Sequence, residues 1–132
     1  MSLFGAFDIS ASGMKTFRTW MDAIADNLTN SRSAAGPDEQ QFQARVVIAE
    51  AAGDGQGVRV RQIAQRNDEA NFEYDPTHPY ADPQTGLVKY AAIDFGREMT
   101  HMVAAQRGYQ ASLQTIQYAR EAYQAALRLG RG

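Results

Sequence analysis

The stretch DFGREMTHMVAAQRGYQASLQTIQYAREAYQAALRLG, residues 94–130, decides the fold. From Phe95 it carries Met99, Met102, Gln106, Tyr109, Leu113, Ile116, Arg120, Tyr123 and Leu127 in alternating steps of four and three. Eight of these ten positions are apolar, which makes a heptad seam on a long helix. Asp94 is placed to cap its start and Gly130 to end it. The N-terminus repeats the pattern more loosely through Leu3, Phe7, Ser10, Met14, Phe17, Met21, Ile24 and Leu28. Two helices this long, paired only with each other, would each bury one stripe and leave the opposite side wet. That side of the closing helix is crowded with small or apolar residues such as Val103, Ala104, Ala111 and Ala122, which permit close approach by further helices. The pattern points to a bundle built from several chains, with each seam short of partners in a single copy.

Composition bounds the function. The chain has 132 residues, a size that fits one domain, and 44% of them are hydrophobic. A net charge of −2 gives no electrostatic footprint for nucleic acid. With no cysteine there are neither disulfides nor thiolate metal sites. Met1-Ser2-Leu3-Phe4-Gly5 lacks a basic n-region, and no apolar run is long enough to span a membrane, so neither a cleaved signal of the general secretory type nor membrane insertion is expected.

Residues 3–30 read as the first helix, with Asp8 and Ser10 favouring its opening turn and the polar run Asp26 to Ser31 ending it. Ser31 to Gln41 reads as a loop turning at Gly36-Pro37-Asp38. Alternation then predicts a hairpin between residues near 42–50 and 57–65, turning at Gly53-Asp54-Gly55-Gln56-Gly57, with Val46, Ile48, Val58 and Val60 on one face. Asn71 to Tyr74 and Leu87 to Tyr90 are short extended pieces, separated by a loop that Pro76, Pro79 and Pro83 keep from being helical. The expected class is mainly α with a small β-rich insert, the long terminal helices pairing in a coiled-coil-like bundle. Its divisions are an N-terminal helix (1–32), a β-rich and loop middle segment (33–93) and a C-terminal helix (94–132).

Chemistry has few candidates. His78 and His101 are the only histidines and stand in unlike elements without metal-ligand spacing, so His78 reads as a loop-stiffening residue and His101 as solvated. Asp68, Glu69, Glu73, Asp75, Asp82 and Asp94 suggest no enclosed acid/base pair. The glycines of residues 53–57 are followed by neither Lys-Ser/Thr nor a helix start, so a hairpin turn is preferred over a phosphate loop. Asn27-Leu28-Thr29 matches a glycosylation sequon but lies at a helix end, where packing and capping explain it. No catalytic residue, metal or cofactor is expected.

Three motifs resemble one known family. Ala25-Asp26-Asn27-Leu28-Thr29-Asn30 is similar to the Ala-Asn-Asn-Leu-Ala-Asn signature of flagellar rod and hook proteins. His78-Pro79-Tyr80-Ala81-Asp82 with Gly86-Leu87-Val88, and Glu98-Met99 with Arg107-Gly108-Tyr109-Gln110-Ala111, resemble its proximal-rod subfamily over essentially the whole chain. The resemblance implies a structural subunit of the bacterial flagellar basal-body rod. It implies a chain exported through the flagellar type III apparatus without leader cleavage and assembled across the periplasm. The implied partners are other proximal and distal rod proteins, the rod-base adaptor at the MS ring, and further copies of itself. The residues expected at the assembly interface are Phe7, Met14, Phe17, Met21, Ile24, Asn27, Leu28, Asn30, Met99, Met102, Tyr109, Leu113, Ile116, Tyr123 and Leu127. From the residues alone, a cytoplasmic coiled-coil adaptor whose middle segment binds a partner is the alternative, and a small hydrolase using Asp75 and His78 a third.

Overall fold

Asp94 sets the start of the closing helix: its carboxylate accepts the Arg97 N–H at 3.0 Å and its carbonyl the Glu98 N–H at 3.0 Å. The computed structural model describes residues 3–130, so residues 1, 2, 131 and 132 of the expected terminal helices, and the side chain of the first seam residue Leu3, lie outside the described residues. Two helices, α1 (Leu3–Thr29) and α2 (Phe95–Leu129), bracket five strands: β1 (Ala34–Ala35), β2 (Arg45–Ala51), β3 (Val58–Gln65), β4 (Asn71–Tyr74) and β5 (Leu87–Tyr90). The sheet β1-β5-β4 is antiparallel, with Ala35 opposite Lys89 and Tyr74 opposite Leu87, and β2 pairs with β3. Two long helices with a small antiparallel β region between them is the class the sequence pattern predicts.

The end of α1 is capped from its own residues. Asn30 Nδ2 donates to the Asp26 carbonyl at 2.9 Å and the Ser31 hydroxyl to that of Leu28 at 2.8 Å, satisfying carbonyls the helix leaves open. Its beginning corrects the expectation for Asp8 and Ser10. Both lie within the helix and cap nothing; Asp8 is exposed and Ser10 buried. The loop after α1 also contains β1, too short at two residues to leave a periodic signal.

The hairpin forms where expected, but its strands begin at Arg45, so Phe42 and Ala44 precede the ladder. The expected shared face is corrected too. Val46 and Ile48 are exposed, whereas Val47 is half-buried like Val58 and Val60, and Val47 and Val58 line a cleft with Thr16, Phe17 and Trp20 of α1. The run Val46-Val47-Ile48 is apolar in both phases of the strand, so alternation could not choose between them.

The described chain divides into two compact units. In the first (residues 3–21, 47–62 and 103–130), α1 and α2 run antiparallel in contact. Gly13 meets Ser112, the Phe17 ring lies against Gly108, and the Phe4 and Tyr123 ring centroids are 6.2 Å apart. Ala105 on the same side is fully buried. Small residues here let the backbones approach, and Phe17 fills the space that a side chain at Gly108 would need. The hairpin is pinned to α1 in this unit. Val58 N–H donates to the Ser12 hydroxyl at 3.1 Å, which itself donates to the Ile9 carbonyl at 2.6 Å. Gly57, at φ +93°, leaves no room for a Cβ beside Ser12 and Ile9.

The second unit (residues 22–46 and 63–102) buries Ala23, Ile24, Ala35, Ala44, Val88 and Ala91. At its centre Asn27, 1% exposed, satisfies three groups at once. Its Oδ1 accepts the Arg45 N–H at 2.7 Å, and its Nδ2 donates to the Arg45 carbonyl and to Glu98 Oε2, both at 3.0 Å. Glu98 is 3% exposed, so this contact holds a carboxylate out of water. Among the described residues no buried side-chain nitrogen or oxygen lacks a partner.

Candidate assembly surface

The seam positions of the two helices meet different surroundings. Along α1, Phe7, Met14, Phe17, Met21 and Leu28 are half-buried, while Ser10 and Ile24 are buried. The α1 seam is therefore covered more by its own chain than the α2 seam is, although both are expected to be short of partners in a single copy. Along α2 only Met102, Tyr109 and Ile116 are half-buried. Phe95, Met99, Leu113, Tyr123 and Leu127 remain exposed, and Val103, Tyr118 and Leu129 add apolar surface.

Helix geometry explains the difference. The side of α2 facing α1 carries Ala105, Gly108 and Ser112, a line of small residues that the hydrophobic pattern passes over. At 3.6 residues per turn, Met99 projects roughly 120° from Ala105 around the axis, and Leu113 about 80°. On the same count Met102 lies about 60°, Tyr109 about 40° and Ile116 about 20° from Ala105, so these half-buried seam residues flank the covered side, while Leu113 stays exposed farther round the helix. Gly13 and Gly108 were the available signal for the covered side, since glycine inside a helix costs about 1 kcal/mol and calls for a packing reason.

Of the remaining expected interface residues, Asn27 is enclosed by Arg45 and Glu98, and Asn30 caps α1. An apolar cleft of 350 Å³ lies beside α1 in the first unit, lined by Thr16, Phe17, Trp20, Val47, Ala49 and Val58.

In the proline-rich loop the candidate side chains are engaged in turn hydrogen bonds. His78 Nδ1 accepts the Tyr80 N–H at 3.1 Å, and its ring lies between those of Tyr80 and Tyr90, at 5.8 and 6.1 Å. The Thr77 hydroxyl, then the Thr77 N–H, hold the Asp75 carboxyl below its usual range. The Gln84 N–H does the same for Asp82. These are turn-closing hydrogen bonds that keep both groups ionised. His101 Nδ1 lies 3.8 Å from Glu98 Oε1, one turn away on α2. Among the described residues no cluster could hold a metal ion, and no helix is long and apolar enough to cross a membrane.

Comparison with known proteins follows the exposed helix. Residues 84–129 match the family described as flagellar basal body rod FlgEFG protein C-terminal. Over its length the chain is 31% identical to the flagellar basal-body rod protein FlgC of Salmonella typhimurium, with 98% of this chain and 99% of the relative covered. It is 33% identical to that of Yersinia enterocolitica over the same shares. The corresponding protein of Aquifex aeolicus is 34% identical, with 94% of each chain covered.

Proposed function

Because the chain belongs to the FlgC family of flagellar basal-body rod proteins, we propose that α2 turns its uncovered seam toward helices of neighbouring subunits in the rod. The protein is a structural subunit of the bacterial flagellar basal-body rod, a part of the motility apparatus. The observation that carries the finer reading is that Phe95, Met99, Leu113 and Leu127 of the α2 seam stay exposed, whereas α1 covers the side carrying Ala105, Gly108 and Ser112. Large apolar side chains left exposed along one helix are a surface that neighbouring helices can cover.

In this reading residues 1–32 and 94–132 form the assembling helical part, completed as a coiled-coil-like bundle by neighbours, and residues 33–93 stand outside it. The seam residues from Met99 to Leu127 make the contacts between subunits. Those of α1, with Asn27 and Asn30, hold the subunit in shape for them. The neighbours are further copies and other proximal and distal rod proteins, with the adaptor at the MS ring below. The chain reaches the periplasm through the flagellar type III apparatus. The work is mechanical: interdigitated apolar side chains pack as densely as crystals and deform little, which suits a shaft under torque. No catalytic step is required of any residue.

Removing the gene tests the reading. Cells without it are expected to lack a rod and to be non-motile, with both restored by the unsubstituted chain, which then copurifies with basal bodies. Swimming cells with complete basal bodies in the deletion strain would overturn it.

A further inference from the structure

Charge is divided unevenly between the two compact units. The described residues of the first carry seven Lys/Arg against four Asp/Glu, and the second carries five against eleven. Each excess has a focus. In the first unit Arg59 and Arg61 on β3 share a single carboxylate, that of Glu50, at 2.7 and 3.9 Å, and their side chains are 68% and 66% exposed. One carboxylate for two guanidiniums leaves positive charge and open N–H donors on a strand that Ser12 pins to α1 one residue earlier. In the second unit β4 is the outer strand of its sheet, and all four of its residues are exposed. It presents Phe72 and Tyr74 with Glu73 between them, and Glu69 and Asp75 lie just beyond its two ends.

An exposed edge strand invites pairing with another chain and is commonly guarded by charge and proline. Here Glu73 and Asp75 repel an acidic strand and attract a basic one, and Pro76 offers no N–H for the ladder to continue. Alternating carboxylates and aromatic rings are the chemistry that recognises arginine, through paired N–H···O bonds and stacking on the ring face. We propose that the Arg59–Arg61 edge of the hairpin in one copy docks on the Glu69–Asp75 edge, β4 included, of a second copy of this chain. The contact deepens the rod reading and rests on it. Because different surfaces of each copy meet, it is heterologous and extends from copy to copy instead of closing on a two-fold axis. It is electrostatic and weakens with salt.

The absence of cysteine makes the test clean. In cells carrying Arg59→Cys together with Glu73→Cys, non-reducing gels of purified basal bodies are expected to show dimers and higher multimers of this chain, and either cysteine alone to give none. In parallel, Arg59→Glu with Arg61→Glu is expected to abolish swimming, and adding Glu69→Lys with Glu73→Lys to restore it. Double-cysteine subunits that enter basal bodies without crosslinking, or that crosslink to a protein of different mass, would overturn the docking and leave the rod reading standing. So would a charge exchange that fails to restore motility. Absence of the unsubstituted chain from basal bodies would remove the rod reading, and this proposal with it.

Discussion

α1 and α2 carry the same spacing of apolar residues and end in opposite situations. On α1 every described seam position is buried or half-buried within its own chain, while most of the α2 seam faces outward. The difference lies in which stripe does the internal packing. α1 turns its seam inward, Phe17 included. α2 answers with Ala105, Gly108 and Ser112, small residues that take up an apolar face without offering one. A helix that packs largely through small residues leaves several of its large ones exposed, and in the reading proposed above those are what a neighbouring subunit covers.

The contrast breaks most severely where folding depends on a buried polar contact. Asn27→Leu leaves the Arg45 N–H and carbonyl and the Glu98 Oε2 without their partner, with His101 at 3.8 Å still beside that carboxylate, a loss of about 3 kcal/mol for the unsatisfied groups. Adding Glu98→Leu should recover part of it, since replacing both partners costs less than orphaning one. Urea unfolding of the purified chain measures both. A smaller effect is expected at Gly108→Val, whose side chain would occupy the place of the Phe17 ring and destabilise the chain by about 1–3 kcal/mol. The same denaturation experiment checks it.

The smallest effect concerns the proline-rich loop, which belongs to neither helix. Asp75 and Asp82 have lowered pKa values in the folded chain, so their contribution to loop order is present above the ordinary carboxylate value of 3.8. It is lost as pH falls through the lower folded values. Amide NMR signals of residues 75–86 should therefore change in strongly acidic solution while those of the two helices hold.

Much of this organisation is legible in the sequence. The heptad spacing located both helices, Asp94 and Gly130 bounded α2, and the glycine cluster at residues 53–57 located the hairpin turn. The motifs around Asn27, His78 and Glu98 pointed to the family that the relatives bear out. What was not legible depends on tertiary choice. β1 consists of two alanines that are a strand only because β5 is there to pair with them. The phase of β2 could not be read through Val46-Val47-Ile48. Small residues line more than one side of α2, so the sequence does not say that Ala105, Gly108 and Ser112 are the ones that meet α1, and the contact between Asn27 and Glu98 joins residues 71 positions apart.

The claim that the α2 seam is completed by other subunits is tested most directly at Leu113, 38% exposed in the single chain. Leu113→Asp should barely alter urea unfolding of the isolated protein, because surface substitutions change stability by about 0.5 kcal/mol or less. In the assembled rod it would forfeit roughly 2 kcal/mol of apolar burial at each such contact and bury an unpaired charge. The measurement is the amount of subunit in purified basal bodies, with Ala119→Ser as the control. The account predicts that Leu113→Asp is made and exported but missing from basal bodies, in cells that do not swim, while the control assembles normally. Leu113→Asp subunits present at the normal level in the rods of swimming cells would contradict it.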